Sequence, residues 1–164
     1  MKKLSILGIA LMAFPLAAAA QEQAAPVEVS EAYARSANPA TGAVFMQLAN
    51  TGDQECTLSG ATSDVAERVE LHTHREEDGV MKMVAADPIA IAPGAHHELA
   101  RGADHVMLLG LHEPLANADE LALTLDFGDC GTVETVVAVD NDRAAGGHDH
   151  GDDDHGHDDG HANH

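Results

Sequence analysis

The chain has 164 residues, with 8 Lys plus Arg against 28 Asp plus Glu and a formal net charge of -20 at pH 7. A surface this acidic repels phosphate backbones, which excludes nucleic acid as a partner. The length suits one domain, and with aromatic residues at 2% and no Trp, its core has to be built from Val, Leu, Ile, Met and Ala. Beside 2 Cys stand 12 His and 6 Met, and imidazole with thioether is a ligand set that soft metals favour.

Residues 1–20 open with Lys2 and Lys3, run through the apolar stretch Leu4 to Ala17 and end in Ala18-Ala19-Ala20. This is the pattern of a cleaved secretory signal, its apolar run being shorter than the roughly 20 residues that span a bilayer. No later segment is long and apolar enough to cross, so no stable membrane insertion is expected. Export to an oxidising compartment makes Cys56 and Cys130 a predicted disulfide, stapling an early strand to a late turn.

From 21 to 142 the hydrophobic period is two. The segments Ala43 to Leu48, Val69 to His72, Val80 to Met83, His105 to Leu109, Leu121 to Leu125 and Val133 to Val139 alternate or are rich in β-branched residues. Turn signals at Asn50-Thr51-Gly52-Asp53, Asp78-Gly79, Pro93-Gly94, Arg101-Gly102 and Gly128-Asp129 separate them. The prediction is an all-β Greek-key sandwich of roughly seven to nine strands, with one helical turn over Ser63 to Arg68.

Residues 143–164 form a predicted disordered tail. Its stretch from Gly146 contains six His (His148, His150, His155, His157, His161 and His164), six Asp and no large apolar side chain. Clustered imidazoles and carboxylates of this kind bind Cu(II), Ni(II) or Zn(II) in many geometries.

Residues i and i+2 of a strand share a face, so His72 with His74, Met81 with Met83, and His105 with Met107 each project together. The spacing is His72, ten residues, Met83, twenty-one residues, His105, one residue, Met107. Two imidazoles and two thioethers make a neutral, soft set suited to Cu(I) and poor for Mg²⁺ or Ca²⁺, which want oxygen. Of the neighbours, Met81 is either core or a substitute ligand during transfer, with core preferred; His74 is a supporting group or an alternative Cu(II) ligand if it is not simply solvated, with solvation preferred; and nothing marks His96, His97 or His112.

In this spacing, and in Glu70-Leu71-His72-Thr73-His74, Asp78-Gly79-Val80-Met81-Lys82-Met83 and His105-Val106-Met107-Leu108-Leu109-Gly110-Leu111, the chain resembles the periplasmic copper chaperones called PCu(A)C. The resemblance covers roughly Val27 to Asp140. It implies a cupredoxin-like sandwich and a Cu(I) site at His72, Met83, His105 and Met107. It also implies a periplasmic location, with delivery to the CuA centre of cytochrome c oxidase and a Sco-type thioredoxin-fold partner. A blue-copper role is disfavoured, since Cys130 has no His or Met close behind it. No nucleophile triad or carboxylate pair stands out, so the expectation is a carrier rather than an enzyme. The rival is a metal buffer or resistance protein in which the tail does most of the binding.

Overall fold

The computed structural model describes residues 24–144. The expected signal at 1–20 and the tail histidines His148, His150, His155, His157, His161 and His164 lie outside the described residues.

The strands are β1 (Val27–Asn38), β2 (Thr41–Asn50), β3 (Cys56–Leu58), β4 (Gly60–Thr62), β5 (Ala66–Glu77), β6 (Val80–Ala85), β7 (Ile89–Ile91), β8 (His96–Leu99), β9 (His105–Leu111), β10 (Glu120–Asp126) and β11 (Thr132–Val139), with a short 3-10 helix at Gly128–Cys130. The six patterned segments all lie in strands, and the total among the described residues exceeds the expected range for two reasons. Strands β3, β4 and β7 have three residues each, too few to display a period. Strand β1 hides its own, because register shifts against β2 fall between Ser30 and Tyr33 and between Ser36 and Asn38, with Glu31 at φ 52°. The helical turn predicted over Ser63 to Arg68 is absent: Asp64 and Val65 make a turn and β5 begins at Ala66. There the Val65 carbonyl accepts from the His112 N–H at 3.0 Å and Arg68 pairs with Leu109, so ladder bonds replace helical ones.

The main sheet runs β4-β10-β11-β1-β2-β9-β5-β6, with β3 and β7 as a separate ribbon. Strand β1 pairs with β11 in parallel and with β2 antiparallel. Strand β2 changes partner midway: Thr41 to Val44 pair with β9, and Met46 to Ala49 with β8. The sheet closes over one core, to which Leu121, Leu123 and Leu125 of β10 contribute alongside Val44, Leu48, Val106 and Leu108. Along β10 these leucines alternate with exposed Glu120, Ala122 and Asp126, the period-two pattern of a strand wet on one face.

Two ties hold the ribbon to this body. Asn50, at 1% exposure, donates from Nδ2 to the Gln54 and Ile91 carbonyls at 2.8 and 2.9 Å and accepts from the Gly52 N–H at 3.0 Å, so a buried amide is satisfied while joining three segments. The predicted disulfide is present, joining Cys56 of β3 to Cys130 of the 3-10 helix with Cα atoms 5.7 Å apart.

The disulfide closes a loop of 74 residues in sequence separation, for which chain entropy gives a ceiling of about 4 kcal/mol. The double variant Cys56→Ala, Cys130→Ala is expected to lose about 2–4 kcal/mol in urea unfolding. An unchanged midpoint with an unchanged slope would show that the bridge does not constrain the unfolded chain.

Candidate metal centre

Strand β9 is buried on both faces. Val106 and Leu108 enter the core at 0% exposure, while His105 and Met107, facing the other way, are 2% and 8% exposed. An antiparallel sheet ordinarily leaves that outer face to water, so something covers it here. Register supplies the cover: His105 lies opposite His72 and Met107 opposite Glu70 on β5, and His74 of β5 lies opposite Met83 of β6. On the other flank Met107 lies opposite Ala43 of β2, and the Phe45 ring centroid is 5.9 Å from that of His105. Directly opposed side chains have Cβ atoms roughly 4.5–5.5 Å apart, so β9, β5 and β6 bring their ligand-type residues onto one patch.

The patch opens as a cavity of about 370 Å³, lined by Phe45, His74, Met83, His105 and Met107, with Arg35 and Arg101 also on its wall. Met83 is 47% exposed. The buried pair on β9 is therefore fixed within the fold, while the thioether of edge strand β6 faces outward.

Hydrogen bonding sets which imidazole nitrogen is free. The Ala103 carbonyl accepts from His105 Nδ1–H at 2.9 Å, leaving the ring's lone pair on Nε2. The Glu70 carboxylate, acceptor-only when ionised, takes His72 Nε2–H at 2.9 Å, which leaves the lone pair on Nδ1. That Nδ1 is buried without a partner, and so is Nδ1 of His74. Glu70 is steadied in turn by Arg68, whose Nη1 donates to it at 2.6 Å. Its carboxyl lies below the ordinary range, chiefly through the His72 hydrogen bond and also through the charge of Arg68. A carbonyl or carboxylate behind each imidazole is the usual device that orients metal-binding histidines.

The turn carrying Ala103 is itself braced. The Ala100 N–H donates to Asp104 O at 2.8 Å, and His97 Nε2 and Asp104 Oδ2 meet at 3.0 Å. His97 thus supports the loop that orients His105, a role that no spacing in the sequence marks.

Of the four residues named by the motif, Met83, His105 and Met107 line the cavity. His72 stands beside it, its ring centroid 6.2 Å from that of His105. His74 departs from the expectation of a solvent-facing residue: it lines the cavity, its ring is 5.6 Å from His105, and strand alternation with His72 is the signal that places it there. Met81 is 58% exposed rather than core, because it lies opposite Glu76, one pair from the turn that joins β5 to β6, where the hairpin projects beyond β9. Among the described residues no group of three or more His, Cys, Asp or Glu forms a metal cluster. Whatever chemistry the patch offers rests on imidazole and thioether together.

Burial lowers the His105 pKa from 6.5, desolvation outweighing the opposing bond to Ala103, so the ring is held neutral. The unfolded chain takes up this proton first as pH falls, so the contribution of His105 to stability is intact above the unfolded value near 6.5 and is lost as pH falls toward and through the lowered folded value. Urea unfolding of the metal-free protein at pH 7.5 and pH 5.5 is expected to show a larger loss in the native sequence than in His105→Gln. Equal losses would mean that His105 is not desolvated.

The family described as "Putative lipoprotein LpqE-like" matches residues 27–139. A protein from Leifsonia xyli subsp. xyli described as "Putative lipoprotein Lxx21020" is 35% identical over 138 residues, spanning 82% of this chain and 83% of that protein. Among solved structures, the apo PCuAC domain from PmoF1 superposes with TM-score 0.59 at 20% identity, over 72% of this chain and 96% of that one. The solution structure of CuI-DR1885 from Deinococcus radiodurans superposes with TM-score 0.52 at 32% identity, over 75% of this chain and 84% of that one. The fold is that of the PCuAC domains, and the chain belongs to the LpqE-like family.

Proposed function

We propose that this protein is an exported copper chaperone whose cargo is a single Cu(I) ion, held by His72, Met83, His105 and Met107. The observation that carries this is the outer face of β9, where an imidazole and a thioether are buried together and a second thioether faces them from the cavity wall. A d¹⁰ ion accepts irregular neutral N and S coordination, and thioethers bind it without losing a proton. His105, kept neutral by burial, is ready to ligate without deprotonation at neutral pH. Further support comes from the likeness to a solved protein described as CuI-loaded.

Each part of the site has a task in carriage. His105 and Met107 anchor the ion from inside the fold, while Met83, on the edge strand, yields first when a recipient offers its own ligands. The cysteines play no part in this exchange, since both are consumed in the disulfide, and neither has a thiol free to carry a lipid. The proposal extends to export directed by residues 1–20 and a periplasmic location. The recipient proposed from the resemblance is the CuA centre of cytochrome c oxidase, reached with a Sco-type thioredoxin-fold partner. The tail histidines His148, His150, His155, His157, His161 and His164 are assigned to Cu(II) capture.

Competition titration with a chromophoric Cu(I) chelator tests the core assignment. The expected result is one tight equivalent in the full chain, kept when residues 146–164 are deleted. Met83→Ala and His105→Ala are each expected to weaken it by at least about 100-fold, beyond the roughly 10–100-fold cost of losing an outer-shell partner. Binding that survives both substitutions but disappears with the tail would move the protein to the buffer class.

A further inference from the structure

The motif at the centre names two imidazoles, and the structure places a third, that of His74, on the cavity wall. His74 stands on the same face of β5 as His72, directly opposite Met83, and lines the cavity that His105, Met107 and Met83 also line. His72 does not line it. The His74 ring is also nearer to His105, at 5.6 Å between centroids against 6.2 Å for His72. Nδ1 of His74 is buried with no hydrogen-bond partner among the described residues, a state that is costly for a polar group unless something else engages it. His72 has already committed Nε2 to Glu70, whereas among the described residues no hydrogen bond holds the His74 ring.

We infer that His74 is a copper donor: in the metal-free fold the cavity offers Cu(I) the set His74, Met83, His105 and Met107, and His72 exchanges with His74 at the metal. This rests on the assignment of the patch to Cu(I) and adds a ligand to it. Four-coordinate Cu(I) has room for one of the two β5 imidazoles in addition to His105, Met83 and Met107. Their positions two residues apart on one strand let a small change at β5 swap one for the other without the β9 anchors moving. A carrier gains from this, because the ion never passes through a state with a vacant imidazole position while a recipient's ligand approaches. No electron or proton transfer is involved, since both rings exchange as neutral donors.

The test uses the full chain and Cu(I) alone, with two readouts. In the first, long-range ¹H–¹⁵N spectra assign the imidazoles before and after one equivalent. A ring nitrogen of His74 is expected to shift together with Nε2 of His105. In the second, chelator competition is expected to show a loss of about tenfold or more for His74→Ala, a smaller loss for His72→Ala, and a loss in the double variant greater than the two combined. The spectral readout needs no variant, so misfolding of His74→Ala would not shield the proposal. Unshifted His74 nitrogens, or native Cu(I) affinity in His74→Ala, overturn the role of His74 while leaving the motif set intact. If Met83→Ala also binds Cu(I) like the native chain, the assignment of the centre fails and His74 falls with it.

Discussion

Burial of β9 on both faces is the constraint from which the site follows. One face must join the core, and Val106 and Leu108 do so at 0% exposure. The opposite face is also shut away from water, yet it carries an imidazole, a group that is costly to bury unless its polar atoms are engaged. One nitrogen is satisfied by the Ala103 carbonyl. The other is left with a lone pair beside thioethers, which cannot donate a hydrogen bond to it. Under the proposed function, a soft cation would take up that lone pair.

The same constraint explains why covering strands are needed and why they are unequal. Strand β2 covers one flank with Ala43 and Phe45, and β5 covers the other with Glu70, His72 and His74. Strand β6 lies at the edge of the main sheet, paired with β5 alone and mostly exposed. Its Met83 therefore belongs both to the cavity and to the surface. The cavity wall is buried at His105 and Met107 and open at Met83, the arrangement that the proposed carriage of an ion requires. The turn before β9 belongs to the same unit, since His97 and Asp104 brace the loop whose carbonyl aims His105.

What could be read from the sequence is what the two-residue period encodes. Leu121, Leu123 and Leu125 announce a strand with one buried face, and His105 with Met107 announce a pair on one side. The pairing of Cys56 with Cys130 is legible once the signal expected at 1–20 is read as export to an oxidising compartment. Register was not legible, because it is set by which strands become neighbours, and β5 and β9 are brought together by topology across the intervening β6, β7 and β8. Alternation gives the face of a strand, not what covers it, so it cannot tell that His74 lines a cavity or that Met81 stays exposed. Strand β1 escaped because its bulges interrupt alternation, and β3, β4 and β7 because three residues carry no period. The helical turn over Ser63 to Arg68 failed because local propensity lost to ladder pairing with β9.

If copper binds on the outer face of β9 among thioethers, as proposed, its coordination sphere contains sulfur. The stretch 146–164 contains neither Met nor Cys, so sulfur reports on the core and not on the tail. X-ray absorption at the copper K edge, on the full chain loaded with one equivalent of Cu(I), is predicted to show two sulfur scatterers together with imidazole nitrogen. A sphere of nitrogen and oxygen alone would place the ion elsewhere and contradict the account.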